Sequence, residues 1–79
     1  MPHIVIKLYS GRTEEQKAIL AQEITKTVMA SLGKDEDAVS VGIEDVAEEE
    51  WLEGVYKPDI IGKPKTIYKK PGYDPCLGR

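Results

Sequence analysis

Pro2 is the residue in this chain whose chemistry depends most on where it stands. It follows Met1 directly and opens the run Pro2-His3-Ile4-Val5-Ile6-Lys7-Leu8. Inside a chain, proline has no N–H and acts only as a conformational constraint. A small second residue favours removal of the initiator methionine, and Pro2 then becomes a secondary amine held in a ring. Terminal amines titrate at roughly 7.7–8.0 in unperturbed peptides. Burial beside positive charge lowers that value, so such a nitrogen abstracts and returns protons near neutral pH. With Met1 retained, the same nitrogen is an ordinary amide without a basic lone pair.

Other residue types limit the alternatives. One cysteine excludes an internal disulfide framework, and one histidine beside one cysteine makes no metal cluster, so neither a metal nor another cofactor is expected. Eleven basic and fourteen acidic residues give a net charge of −3, which is no footprint for nucleic acid. No stretch approaches the ~18–20 apolar residues of a membrane span, and Met1-Pro2-His3 lacks the basic start of a secretion signal, so a cytoplasmic location is expected. The acidic group Glu44, Asp45, Glu48, Glu49, Glu50 and Glu53 is followed by Lys57, Lys63, Lys65, Lys69 and Lys70. These read mainly as solvated faces, with the lysines also suited to attract an anion.

The elements that must carry Pro2 are legible in outline. Pro2, Ile4, Ile6 and Leu8 alternate with His3, Val5 and Lys7, which predicts a strand. Tyr9-Ser10-Gly11-Arg12 reads as a turn, and Thr13-Glu14-Glu15-Gln16 matches a capping box. A helix is expected from there to Gly33, with Ala18, Ala21, Ile24, Val28 and Leu32, joined by Ile19 and Leu20, as its apolar stripe. Val39, Val41 and Ile43 alternate with polar or small neighbours and predict a second strand, parallel to the first after a right-handed crossover. Ala47 to Val55 is expected as a short acidic helix carrying Trp51 and Leu52. Beyond Lys57-Pro58 the chain is punctuated by Gly62, Pro64, Pro71, Gly72 and Pro75, so residues 58–79 read as a less regular tail, in which Thr66-Ile67-Tyr68 suits a short strand added to a partner's sheet.

The expectation is one α/β domain over residues 1–79, a β-α-β unit with a short second helix and a C-terminal strand or tail. A 79-residue chain buries only ~60–65% of its unfolded surface, so its sheets are expected to be completed by oligomerisation.

Taken together, Pro2, the junction Ser10-Gly11-Arg12-Thr13-Glu14-Glu15-Gln16-Lys17 and Val39-Ser40-Val41 resemble the tautomerase superfamily, specifically small 4-oxalocrotonate tautomerase-like chains. The resemblance runs from Pro2 to about Trp51. It implies a cofactor-independent keto–enol tautomerase acting on small enol or 2-oxo acids, with Pro2 as general base and acid. By the same resemblance Arg12 binds a substrate carboxylate, for which a planar guanidinium is suited, and Trp51 walls an apolar pocket. A second family arginine falls at Ser40, which carries no charge. Ser40 is therefore a substrate-binding position where a dicarboxylate is disfavoured and a monoacid enol such as phenylenolpyruvate is expected. Water, a backbone N–H or a tail lysine is then left to meet the substrate oxygen. Lys69-Lys70-Pro71-Gly72-Tyr73 is similar to a longer bacterial branch in which the resemblance implies a homodimer rather than a hexamer.

Two other readings stand beside this one. A hydratase or dehalogenase of unsaturated acids would use protonated Pro2, and a non-catalytic oligomeric binding module would follow from a blocked terminus. His3 reads as a packed or exposed strand residue, the four tyrosines as packing groups and Cys76 as a plain thiol.

Overall fold

A computed structural model describes residues 1–73, and the expectation for Cys76 lies outside them. The chain divides into two compact units, Met1–Asp45 and the remainder from Val46.

β1 runs His3–Tyr9, α1 Glu14–Leu32 and β2 Ser40–Val46, with a single 3₁₀ turn, Glu36–Ala38, leading into β2; all but the last residue of β2 belong to the first unit. The two strands are neighbours in a two-stranded sheet. The backbone N–H of Ser40 donates to the carbonyl of Pro2 at 3.2 Å, so the beginnings of both strands lie side by side and the pair is parallel, as expected.

Gly11 has φ +124°, a region open to glycine and costly for residues with a Cβ, and there the chain leaves β1 and turns toward the helix. Thr13 then caps α1. Its hydroxyl accepts from the Gln16 N–H at 3.0 Å, while the Gln16 side chain accepts from the Thr13 N–H at 3.0 Å. The expected capping box is therefore present, and such a cap is typically worth ~1 kcal/mol. At the other end Gly33 adopts the left-handed conformation, φ +65°, and its N–H closes on the Met29 carbonyl at 3.0 Å.

The apolar stripe of α1 sits differently from the expected one. Leu20, Ala21, Ile24, Thr25, Val28 and Met29 are half-buried, whereas Ala18 is exposed, Ile19 is 51% exposed and Leu32 59%. A helix advances 100° per residue, and steps of three and four from Leu20 to Val28 hold one side, from which Ile19 turns away. Along β1, Ile4, Ile6 and Leu8 are half-buried, and Leu8 lines a cavity with Leu20 of the helix, so that side of the strand faces α1. The opposite side carries His3, Val5 and Tyr9, all exposed. By strand pairing, Ser40 and Gly42 share this open face.

The second unit begins with a 3₁₀ turn, Glu48–Glu50, and continues through Trp51 into a π-helix, Leu52–Ile61. The helix expected over 47–55 therefore extends six residues further. Pro58 does not end it. Proline lacks a donor and its ring crowds the carbonyl four residues back; that residue is Gly54, and the wider π-turn relieves the crowding. The last π-type bond, from the Gly62 N–H to the Lys57 carbonyl, is 2.7 Å. A Cβ at Gly62 would lie 2.7 Å from the Pro58 carbonyl oxygen, so the close approach there requires glycine.

Thr66-Ile67-Tyr68 pairs with no strand of its own chain among the described residues. Pro64–Thr66 is a 3₁₀ turn in which the Thr66 N–H and hydroxyl both donate to the Lys63 carbonyl, at 3.0 and 2.8 Å, so its polar groups are used locally. Within the single chain the described residues form a tail here. Within this unit Val55 is buried, at 5% exposure, and it is the only described apolar residue in the chain that is so fully covered.

Candidate active site

At the start of β1, Pro2 is half-buried and Met1 before it is 96% exposed. The carbonyl of Pro2 is taken up by the Ser40 N–H, which anchors Pro2 to the first residue of β2. Directly beside it, the Ser40 hydroxyl and the Nδ1 atom of His3 are 2.7 Å apart. Pro2, His3 and Ser40 thus form one cluster where the two strands begin.

Sequence reasoning placed Pro2 and Ser40 in the site but read His3 as an ordinary strand residue. The signal that was available is the register: once Ser40 pairs with Pro2, the side chain of the next residue on β1 is its cross-strand neighbour on the same face. The structure gives the Ser40 hydroxyl a side-chain partner, His3, that the sequence reading had not assigned to it.

Arg12 lies at the other end of β1. The seven residues of His3–Tyr9 span about 23 Å at ~3.3 Å each. One chain therefore does not bring Arg12 to Pro2. Arg12 is exposed and lines a cavity of about 190 Å³ with Leu8, Gln16, Lys17 and Leu20. Lys17 fixes this junction. Its ammonium reaches Glu14 at 2.8 Å and Asp45, at the end of β2, at 2.9 Å, and its side chain is only 15% exposed. The hydrogen bonds that Lys17 donates to Glu14 and Asp45 raise its pKa above the ordinary value.

Trp51 belongs to the second unit. It is half-buried, and its indole N–H donates to the hydroxyl of Tyr73 at 3.0 Å. The ring of Tyr73 also meets that of Tyr56, with centroids 6.1 Å apart. Tyr56, Tyr73, Ile60, Ile61, Pro64 and Ile67 help line an apolar cleft of about 220 Å³, with Lys70 at its edge. Lys57 and Lys63 pair with Glu53 and Asp59, at 2.6 and 3.8 Å.

The Pro2-led β-α-β unit, with the Gly11-Arg12 turn into the helix capped by Thr13, is the arrangement that the resemblance implied. A sequence profile described as "Tautomerase enzyme" matches residues 2–60, beginning at Pro2 itself. The chain belongs to the tautomerase family, and its relatives bear names of isomerases. It is 44% identical over 73 residues to a probable tautomerase of Xylella fastidiosa, covering 92% of this chain and 89% of that protein. Against tautomerase PptA of Pectobacterium atrosepticum the identity is 35% over 74 residues, covering 92% and 97%.

Among solved structures, TomN, a 4-oxalocrotonate tautomerase homologue in the tomaymycin biosynthetic pathway, aligns with a TM-score of 0.62 and 32% identity. The alignment covers 63% of this chain and 77% of that one. YwhB, another homologue of 4-oxalocrotonate tautomerase, aligns with a TM-score of 0.58 and 34% identity over 60% and 77%. Tautomerase folds form oligomers. No helix among the described residues is long and apolar enough to cross a membrane.

Proposed function

We propose that this tautomerase, once Met1 has been removed, ketonises a small monoacid enol of the phenylenolpyruvate type with Pro2 as the proton carrier. The neutral Pro2 amine takes the enol O–H proton, leaving an enolate. The carbon–carbon double-bond pair then collects that proton from the ammonium, the oxygen becomes a carbonyl, and Pro2 returns to its starting state. Every atom and charge balances without an oxidant, a reductant or a cofactor.

The observation that carries this reading is the position of Pro2. It is the first residue of the family match, and it is held at the edge of the sheet through its carbonyl, so its nitrogen takes no part in the strand pairing.

Arg12 binds the substrate carboxylate in this scheme, supplied by a second copy of the chain because β1 separates it from Pro2 by about 23 Å. A neutral residue at Ser40 favours a monoacid over a dicarboxylate. Trp51 forms an apolar wall. The working form is a cytoplasmic homodimer, for which the Lys69-Lys70-Pro71-Gly72-Tyr73 segment is the supporting feature.

The test is direct. Intact mass should show a chain lacking Met1, and this form should accelerate ketonisation of phenylenolpyruvate, while Pro2→Ala should lose most of that rate. A retained Met1, or a Pro2→Ala variant as fast as the parent across several enol acids, would remove Pro2 from the chemistry.

A further inference from the structure

We propose that His3 and Ser40 act as a positioning pair: His3 turns the Ser40 hydroxyl proton toward the substrate oxygen from which Pro2 removes or to which it restores a proton. The proposal deepens the functional reading above and rests on it. Its basis is a geometry confined to three residues. Ser40 is attached twice where the strands begin, through its N–H to the Pro2 carbonyl at 3.2 Å and through its hydroxyl to His3 Nδ1 at 2.7 Å. Both side chains are exposed and stand on the face of the sheet that α1 does not cover. His3 follows Pro2 in the chain and Ser40 bonds the Pro2 carbonyl, so the pair and Pro2 sit together where the two strands begin.

Chemistry assigns the direction of the bond. When Pro2 takes the enol proton, negative charge develops on the substrate oxygen, and a donor aimed at that oxygen lowers the barrier. A serine hydroxyl has one proton and two lone pairs. If Ser40 spent its proton on His3, nothing would be left for the oxyanion. With Nδ1–H of His3 donating to Ser40 Oγ, the serine proton is free for the substrate and its rotation is fixed. A hydrogen bond received by the serine oxygen also polarises its own O–H. Neither residue gains or loses a proton over the cycle, so His3 acts only through Ser40.

That dependence separates a positioning role from a structural one. In mature protein lacking Met1, with phenylenolpyruvate as the probe, Ser40→Ala should lower kcat roughly a hundredfold with KM little changed, the loss typical of a removed oxyanion donor. His3→Ala should lower kcat roughly fivefold to tenfold, the value of one neutral hydrogen bond. The double variant should be no slower than Ser40→Ala, because His3 has nothing left to orient. His3→Asn, whose side-chain amide can place its N–H near the Nδ1 position, should recover most of the rate lost in His3→Ala. Circular dichroism and sedimentation on each variant keep a folding or assembly defect distinct from a kinetic one, and His3→Asn carries the test if His3→Ala fails to fold.

Losses that multiply in the double variant, a change in KM alone, or a His3→Asn variant as slow as His3→Ala would each overturn the pair. Pro2→Ala run in parallel isolates the underlying reading. If Pro2→Ala is inert while the Ser40 and His3 variants match the parent, the pair falls and the proline mechanism stands. If Pro2→Ala matches the parent, both fall.

Discussion

Trp51 donates its indole N–H to the hydroxyl of Tyr73 across 22 positions of sequence, at 3.0 Å, and so ties the tail to the helix that follows β2. Tyr73→Phe keeps the ring contact with Tyr56 and removes only the acceptor. An exposed hydrogen bond of this kind is worth about 0.5 kcal/mol, so the variant should lose little stability. The fluorescence of Trp51, the chain's single tryptophan, should shift, because the indole exchanges a fixed partner for water. If Trp51 forms the apolar wall, the KM for an aromatic enol acid should rise more than kcat falls. An unchanged emission spectrum would show that the tie is not formed in solution.

Lys17 provides a prediction about pH. Its folded-state pKa lies above the ordinary value of 10.5 because Glu14 and Asp45 hydrogen-bond its charged form. A raised pKa in the folded state means that the unfolded chain loses this proton first as pH rises. The stability that Lys17 contributes is therefore fully present below about 10.5 and is lost as pH climbs through the folded value. Urea midpoints measured from pH 8 to pH 12 should fall more steeply for the parent than for Lys17→Met, which has no charge to lose. Parallel curves for the two would show that the Glu14 and Asp45 bonds contribute nothing.

How far these sites were legible in the sequence depended on how local their determinants are. Thr13 and Gln16 cap α1 through atoms three residues apart, and the pattern is written in the chain itself. The alternation of β1 and the placing of Pro2 at its head were equally local. His3 and Ser40 are 37 positions apart and meet only through the parallel register, so the two residues had to be aligned before the contact could be seen. Pro58 misled for a different reason. The rule that proline ends a helix holds for an α-helix, but the turns around it here are wider, with Gly62 closing on Lys57. The α1 stripe was read one turn too widely at both ends, because Ala18 and Leu32 are apolar without facing the sheet.

The exposed apolar groups predict how the chain assembles. Val5 is 46% exposed on the open face of β1, beside Gly42, which offers no side chain to cover it. A two-stranded sheet covered on one face does not bury enough to stand alone. Sedimentation equilibrium at micromolar concentration should therefore give a homo-oligomer, with a dimer as the expected mass. Val5→Glu places a charge on that face and should shift the distribution toward monomer, since burying an unpaired carboxylate is costly. An oligomer indifferent to Val5→Glu would put the interface elsewhere, and a stable parent monomer would overturn the assembly.

Arg12 links assembly to chemistry, because about 23 Å of β1 lies between it and Pro2 in the same chain. If its guanidinium holds the substrate carboxylate from a second copy, Arg12→Ala should raise KM for an enol acid by roughly tenfold or more, as expected for the loss of a charge-assisted pair. The neutral methyl ester of the same enol has no carboxylate to bind and should be turned over at similar rates by parent and variant. Mixing provides the decisive arm. Pro2→Ala subunits, which keep Arg12, and Arg12→Ala subunits, which keep Pro2, should each be slow alone and should regain activity when dissociated and reassembled together. Restored activity requires one intact site built from two chains. Equal losses on acid and ester, with no recovery on mixing, would make Arg12 a structural residue of the turn that Gly11 begins.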